Sequence, residues 1–131
     1  MIRGDIMRKI LVIEDDDFLR ESLVDFLEVH NFDVVATEDS FNGLRMAHEL
    51  RPDLILCECN IPMFTGAEVI KALRHNLKTS HIPIILLIDD SIMGYFYLRM
   101  GANDYLEKSS IPTELLPQIN AQINQQKILC V

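Results

Sequence analysis

Positive charge is scarce in this chain: twelve Lys and Arg stand against twenty Asp and Glu, a formal net charge of −8. Phosphate backbones are held by basic faces, so the charge argues against a direct nucleic-acid partner. The surplus acid reads first as a solubility feature. Long apolar runs are missing as well. No stretch reaches the roughly 18 residues that a membrane span requires. The start is mixed and polar, and the first apolar run, Ile10 to Ile13, ends in acids rather than at a small-residue cleavage site, so no signal peptide is expected. Cysteine is sparse and odd in number: three, two of them in Cys57-x-Cys59. No second close pair completes a zinc site, and the thiols read as reduced, in a cytoplasmic protein. Repeats, low-complexity segments and linkers are also absent, and 131 residues suit one domain around one core.

What is present is an alternation of two periodicities. Lys9 to Ile13 is a short β-branched run, and Phe18 to Val29 then places Leu19, Leu23, Phe26 and Leu27 at helical spacing. Val34 and Val35 mark a second strand. Ser40 is expected to cap a helix reaching about Leu50, with Pro52 stopping it. Leu54 to Cys57 is a third strand, Gly66 to His75 a helix, and Ile84 to Ile88 the most apolar strand. Ser91 to Met100 reads as a helix ended by Gly101, Asp104 to Leu106 as a fifth strand, and Ile111 to Gln126 as a closing helix with Pro117 disturbing its first turn. Strands that are apolar without alternation are covered on both faces. Right-handed crossovers then give a parallel sheet with helices on both sides. In such a sheet function gathers at the carboxyl ends of the strands.

Those ends are acidic. Strand 1 runs into Glu14, Asp15, Asp16 and Asp17, strand 3 into Glu58, strand 4 into Ile88, Asp89 and Asp90, and strand 5 into Glu107 and Lys108. Converging carboxylates must take up protons, hold a cation or pair with a base. An all-oxygen set suits Mg²⁺, and Lys108 can bind a phosphate or a carboxylate. Asp16 and Asp17 are better explained as the start of the following helix, where acids suit its dipole.

The motifs I-L-V-I-E-D-D at 10–16, P-D-L-I-L-C-E-x-x-I-P-x-x-x-G at 52–66, I-P-I-I-L-L at 82–87 and G-A-N-D-Y-L-E-K at 101–108 resemble the receiver domain of two-component response regulators, the CheY-like family. The resemblance covers about residues 8 to 126 within a single domain spanning the chain. It implies a flavodoxin-like, doubly wound α/β fold with five parallel strands in the order 2-1-3-4-5 and five helices, the arrangement for which a receiver is a standing example. It further implies a signalling module rather than an enzyme. Mg²⁺ would be held by Glu14, Asp15, the backbone carbonyl of Asn60 and the acceptor-site carboxylate of Glu58. Lys108 would contact the phosphoryl group, and Tyr105 would report activation by its rotamer.

Against that pattern three positions stand out. The phosphoacceptor is ordinarily aspartate, and Glu58 is longer by about 1.5 Å, one carbon–carbon bond. In-line attack needs reacting atoms about 3–3.5 Å apart, so that displacement is serious. Ile88 replaces the strand-4 Thr or Ser and brings no donor. Asp89 puts bulk and negative charge where a small residue normally leaves room. The expectation is a pseudo-receiver that signals without a phosphorylation cycle. Its surface would be helix 4, strand 5 and helix 5, and its partner a histidine kinase, an output domain, another regulator or a second copy. Tyr95, Phe96 and Tyr97 span about 200° of a helix, so at least one is expected at that surface, beside Tyr105. The alternatives are a receiver held active by Glu58, one that is still phosphorylatable, and, remotely, a small phosphohydrolase using Asp15-x-Asp17.

Overall fold

The computed structural model describes residues 7–129. Five strands, β1 (Lys9–Ile13), β2 (Asp33–Thr37), β3 (Leu54–Glu58), β4 (Ile84–Ile88) and β5 (Asp104–Glu107), alternate with five helices, α1 (Asp17–Val29), α2 (Ser40–Leu50), α3 (Gly66–Arg74), α4 (Gly94–Met100) and α5 (Ile111–Leu129). The strands form one sheet in the order β2-β1-β3-β4-β5. Every neighbouring pair is parallel, with Ile13 level with Cys57 and Ile88 level with Glu107. That register brings the exits of β1, β3, β4 and β5 to one edge.

Alternate residues of each strand point to opposite faces. Leu11, Ile13, Ile55, Cys57, Leu86 and Ile88 pack with Ala47 of α2 and with Val69, Ile70 and Leu73 of α3. Ile10, Val12, Leu54, Leu56, Ile85 and Leu87 pack on the other face with Leu23 and Leu27 of α1 and Leu115, Ile119 and Ile123 of α5. Two covered faces are why these strands read as unbroken apolar runs. Each fully buried Leu or Ile contributes about 1.5–3 kcal/mol, which fixes the register and with it the site.

Several local signals resolve differently from the sequence expectation. The cap of α2 is Asp39, whose carboxylate accepts from Asn42 N at 2.8 Å. Ser40 is instead buried and donates its hydroxyl to Pro62 O at 2.8 Å, tying α2 to the loop after β3. Asp16 caps α1 by accepting from Leu19 N, and Asp17 opens its first turn, as expected of these two acids. A Thr65–Glu68 capping box starts α3. Ser91–Met93 forms a 3-10 turn, so α4 begins only at Gly94, has seven residues, lacks a side-chain cap and ends at Gly101 with φ 119°. The first turn of α5 is not disturbed as expected: the helix runs unbroken from Ile111 with Pro117 inside it, and the 3-10 turn over Lys108–Ser110 precedes it. Among the described residues no helix is long and apolar enough to cross a membrane. Cys57 and Cys59 are free and buried, and Cys130 lies outside the described residues.

Candidate functional site at the carboxyl edge of the sheet

Glu14 and Glu58 leave the central strands and are both buried, at 1% and 2% exposure. The backbone of Glu14 is pinned on both sides: its N–H donates to Thr37 O, and its carbonyl accepts from Arg20 Nη1 at 2.9 Å. One side-chain oxygen accepts from Asp16 N at 3.1 Å, while Oε1 is buried without a partner. Burial pushes the Glu14 carboxyl up to about 7; the Asp16 N–H opposes this and the nearby Glu58 carboxylate adds to it. Asp15, next in sequence, is exposed.

Glu58 is committed at both oxygens. Oε1 accepts from Asn60 N at 3.2 Å and faces Cys59 Sγ at 3.8 Å. Oε2 makes a close ion pair with Lys108 Nζ and has no other directed partner. The turn over Lys108–Ser110 brings the ammonium there, and the same nitrogen lies 3.5 Å from Asp89 Oδ1. Burial alone would lower the lysine; the carboxylates of Glu58, Glu14 and Asp89 outweigh it, and Lys108 sits above its ordinary value. One base thus serves two of the acids predicted for this edge and feels a third.

This geometry bears on each expected role. Glu14, Glu58, Asp89 and Lys108 are brought together. Ile88 is 1% exposed within the core at the end of β4, and its side chain brings no donor to the edge. The acidic set does not gather around one cation position: Glu58 serves the lysine, and among the described residues no three His, Cys, Asp or Glu side chains form a group able to hold a metal ion. The unpartnered Oε1 of Glu14 asks for a proton as readily as for a cation. As arranged, Glu58 is paired with an internal cation and Glu14 keeps one buried oxygen without a partner.

On α4, Tyr95 and Phe96 are 61% and 53% exposed, and Tyr97 turns inward against the sheet. Tyr105 is half-buried, its ring lying directly against the backbone of Gly94. A small cavity of about 210 Å³ beside Glu58 is lined by Cys59, Asn60, Ile88, Asp89, Met93 and Tyr97. Three contributors were missed from sequence. Cys59 faces both Glu58 and Tyr97, and burial raises its thiol. Gly94 makes room for Tyr105. Arg74 clamps the far end of the sheet through Gly101 O, Ser80 O, Ile82 O and Asn103 Oδ1. Only Gly94 carried a legible signal, as a helix-disfavouring residue ahead of three aromatics.

The sequence and the fold are matched in known proteins. Residues 10–120 match the model of the response regulator receiver domain. The chain is 34% identical over 126 residues to the DNA-binding response regulator MtrA of Mycolicibacterium smegmatis, covering 94% of this chain and 54% of that protein. It spans about half the length of the curated relatives it matches. A response regulator structure from Chloroflexus aurantiacus superposes with a TM-score of 0.86 at 26% identity, covering 91% of this chain and 99% of the other. The receiver of a Pseudomonas aeruginosa sensor histidine kinase, with magnesium coordinated in its active-site cleft, superposes with a TM-score of 0.83 at 26% identity, covering 91% and 99%. Fold, strand order and matched sequence agree, and the chain belongs to the response regulator receiver domain family, a family of two-component signalling modules rather than enzymes.

Proposed function

We propose that this chain is a pseudo-receiver: a cytoplasmic receiver domain, with its core at about residues 8 to 126, that signals through protein contacts without accepting phosphate. The observation that carries this reading is the buried Glu58 carboxylate held by Lys108, with Asp89 on the same ammonium. A phosphoryl group at Glu58 would have to separate that pair, meet the charge of Asp89 and find no hydroxyl at Ile88. Mg²⁺ affinity is weak for the same reason, because the ligand roles of Glu14, Asp15, the Asn60 carbonyl and Glu58 compete with an internal cation. The signalling surface is α4, β5 and α5, with Tyr95, Phe96 and Tyr105 on or beside it. Its partner is a kinase, an output domain or another regulator.

A second form of this reading is favoured by one contact. The Tyr105 ring is lodged against Gly94 beneath α4, the inward placement that the family resemblance associates with activation. In that form Glu58 on Lys108 holds the surface permanently in its signalling state. Intact mass after incubation with Mg²⁺ and acetyl phosphate tests the proposal: the mass stays unchanged. A stable phosphoryl adduct on Glu58 refutes both forms.

A further inference from the structure

A groove of about 540 Å³ runs between α4, β5 and α5. Asp104, Glu107 and Glu114 line it, Leu98 and Tyr105 give it apolar wall, and Gln118 closes one side. None of its lining residues is a lysine or arginine. The Oε1 atom of Gln118 is shielded from solvent and has no hydrogen-bond partner. From Ile111 to Gln125 the sequence of α5 contains no base. The base carried by α4, Arg99, is turned onto Tyr95, 5.9 Å over its ring and 3.3 Å from its hydroxyl. The groove is therefore a set of acceptors with no cation of its own beside the exposed apolar side chains of α4, where Tyr95, Phe96 and Leu98 are 61%, 53% and 38% exposed.

We infer that this groove receives a cationic segment of a protein partner, an arginine flanked by apolar residues. The inference rests on the reading of α4, β5 and α5 as the signalling surface and supplies the chemistry of what binds there. Arginine fits better than lysine because several separate acceptors line the one groove, where a planar five-donor fork can serve more than one of them, and because an aromatic ring forms part of the wall. The flanking apolar residues cover Leu98 and the neighbouring rings of α4. A second copy of this chain is disfavoured as the occupant: an isologous contact would set three carboxylates against three others, between molecules of net charge −8 each. Nucleic acid and anionic membrane are disfavoured by the same charge.

The test uses two blocked hexapeptides with identical leucine residues, one carrying two arginines and the other two glutamates, titrated into the whole chain while amide shifts are followed. The arginine peptide is expected to move the amides of β5 and of Leu98 and Glu114, and to release them as salt is raised; the glutamate peptide moves none. The D104N/E107Q/E114Q variant, checked by its melting curve, is expected to bind the arginine peptide about tenfold more weakly. Salt dependence and the glutamate peptide give the answer even if that variant fails to fold. Equal binding of the two peptides, shifts confined to another face, or undiminished binding to the folded variant overturns the inference. So does a concentration-dependent dimer that blocks the arginine peptide, which would make a second copy the occupant. None of these readings involves phosphoryl transfer. A Glu58 adduct together with arginine-peptide binding removes the proposed function and leaves this site standing, and the reverse pair of results does the opposite.

Discussion

Replacing Lys108 by methionine keeps most of the stem and removes the charge that Glu58 faces. The side chain of Glu58 is 3% exposed and that of Lys108 30%. At an effective dielectric of about 20, unit charges about 4 Å apart attract by about 4 kcal/mol. Part of that is offset, because the desolvation cost of the ammonium vanishes with the lysine. Breaking a fully buried pair costs about 3–5 kcal/mol, so about 2–3 kcal/mol is expected here. Urea unfolding at neutral pH in EDTA reads it out. With a slope of about 2 kcal/mol/M, the midpoint falls by about 1–1.5 M. Glu58→Gln removes the charge needing a partner and leaves Lys108 beside Asp89, so it costs about 1 kcal/mol. The double variant should then be milder than the sum by about 2 kcal/mol, the coupling of the pair. A Lys108→Met midpoint unchanged within error, or strictly additive single effects, refutes the claim that this ion pair closes the site.

The remaining predictions concern neighbouring groups. The Glu14 carboxyl rises from 4.5 to about 7 on folding, so the folded state holds more protons than the unfolded one between those values, and stability falls as pH rises through that window. Measured in EDTA, the stability of Glu14→Gln relative to the parent should climb by about 3 kcal/mol from pH 4.5 to 8; a flat difference sinks the assignment. A Cβ on Gly94 would stand 2.6 Å from Tyr105 Cδ1, so Gly94→Ala is expected to swing that ring outward and to cost about 1–3 kcal/mol of overpacking despite the better helix former. Fewer cross-peaks between the Tyr105 ring and α4, together with a lower melting temperature, check it; a raised melting temperature argues against it. Arg74→Lys should lose about 2–3 kcal/mol, because an ammonium cannot reach all four of the oxygens that the guanidinium holds. A lysine variant with the parent's unfolding midpoint contradicts the clamp.

Much of the fold was legible because its signals are local and repeated. Ile10 to Ile13, Leu54 to Cys57 and Ile84 to Ile88 are apolar runs that only a two-sided sheet explains, and the sheet order β2-β1-β3-β4-β5 follows the expectation. The cap of α2 was misplaced by one residue since Asp39 and Ser40 are both good caps, and the choice turned on Ser40 finding Pro62 across the loop. At the site, sequence order alone located Glu14, Glu58, Asp89 and Lys108, because strand exits in a parallel sheet share one edge. What sequence left open was the division of partners. Whether Lys108 takes Glu58 or leaves it to a cation depends on side-chain reach across β3 and β5, which no spacing encodes. Arg74 was invisible for a related reason: all four of its acceptors are backbone or amide oxygens, brought together by folding of the segments around Ser80 and Gly101.

Helix α4 has seven residues, no side-chain cap and a single buried residue, Gly94. So short a segment, anchored so sparsely, has little to hold its amides closed, and its hydrogens should exchange with deuterium sooner than those of the other four helices. The exposed aromatic residues of the proposed signalling surface thus sit on a short, sparsely anchored helix. Whatever docks there must first quiet it, and part of every association constant at this surface is spent as lost motion rather than gained contact.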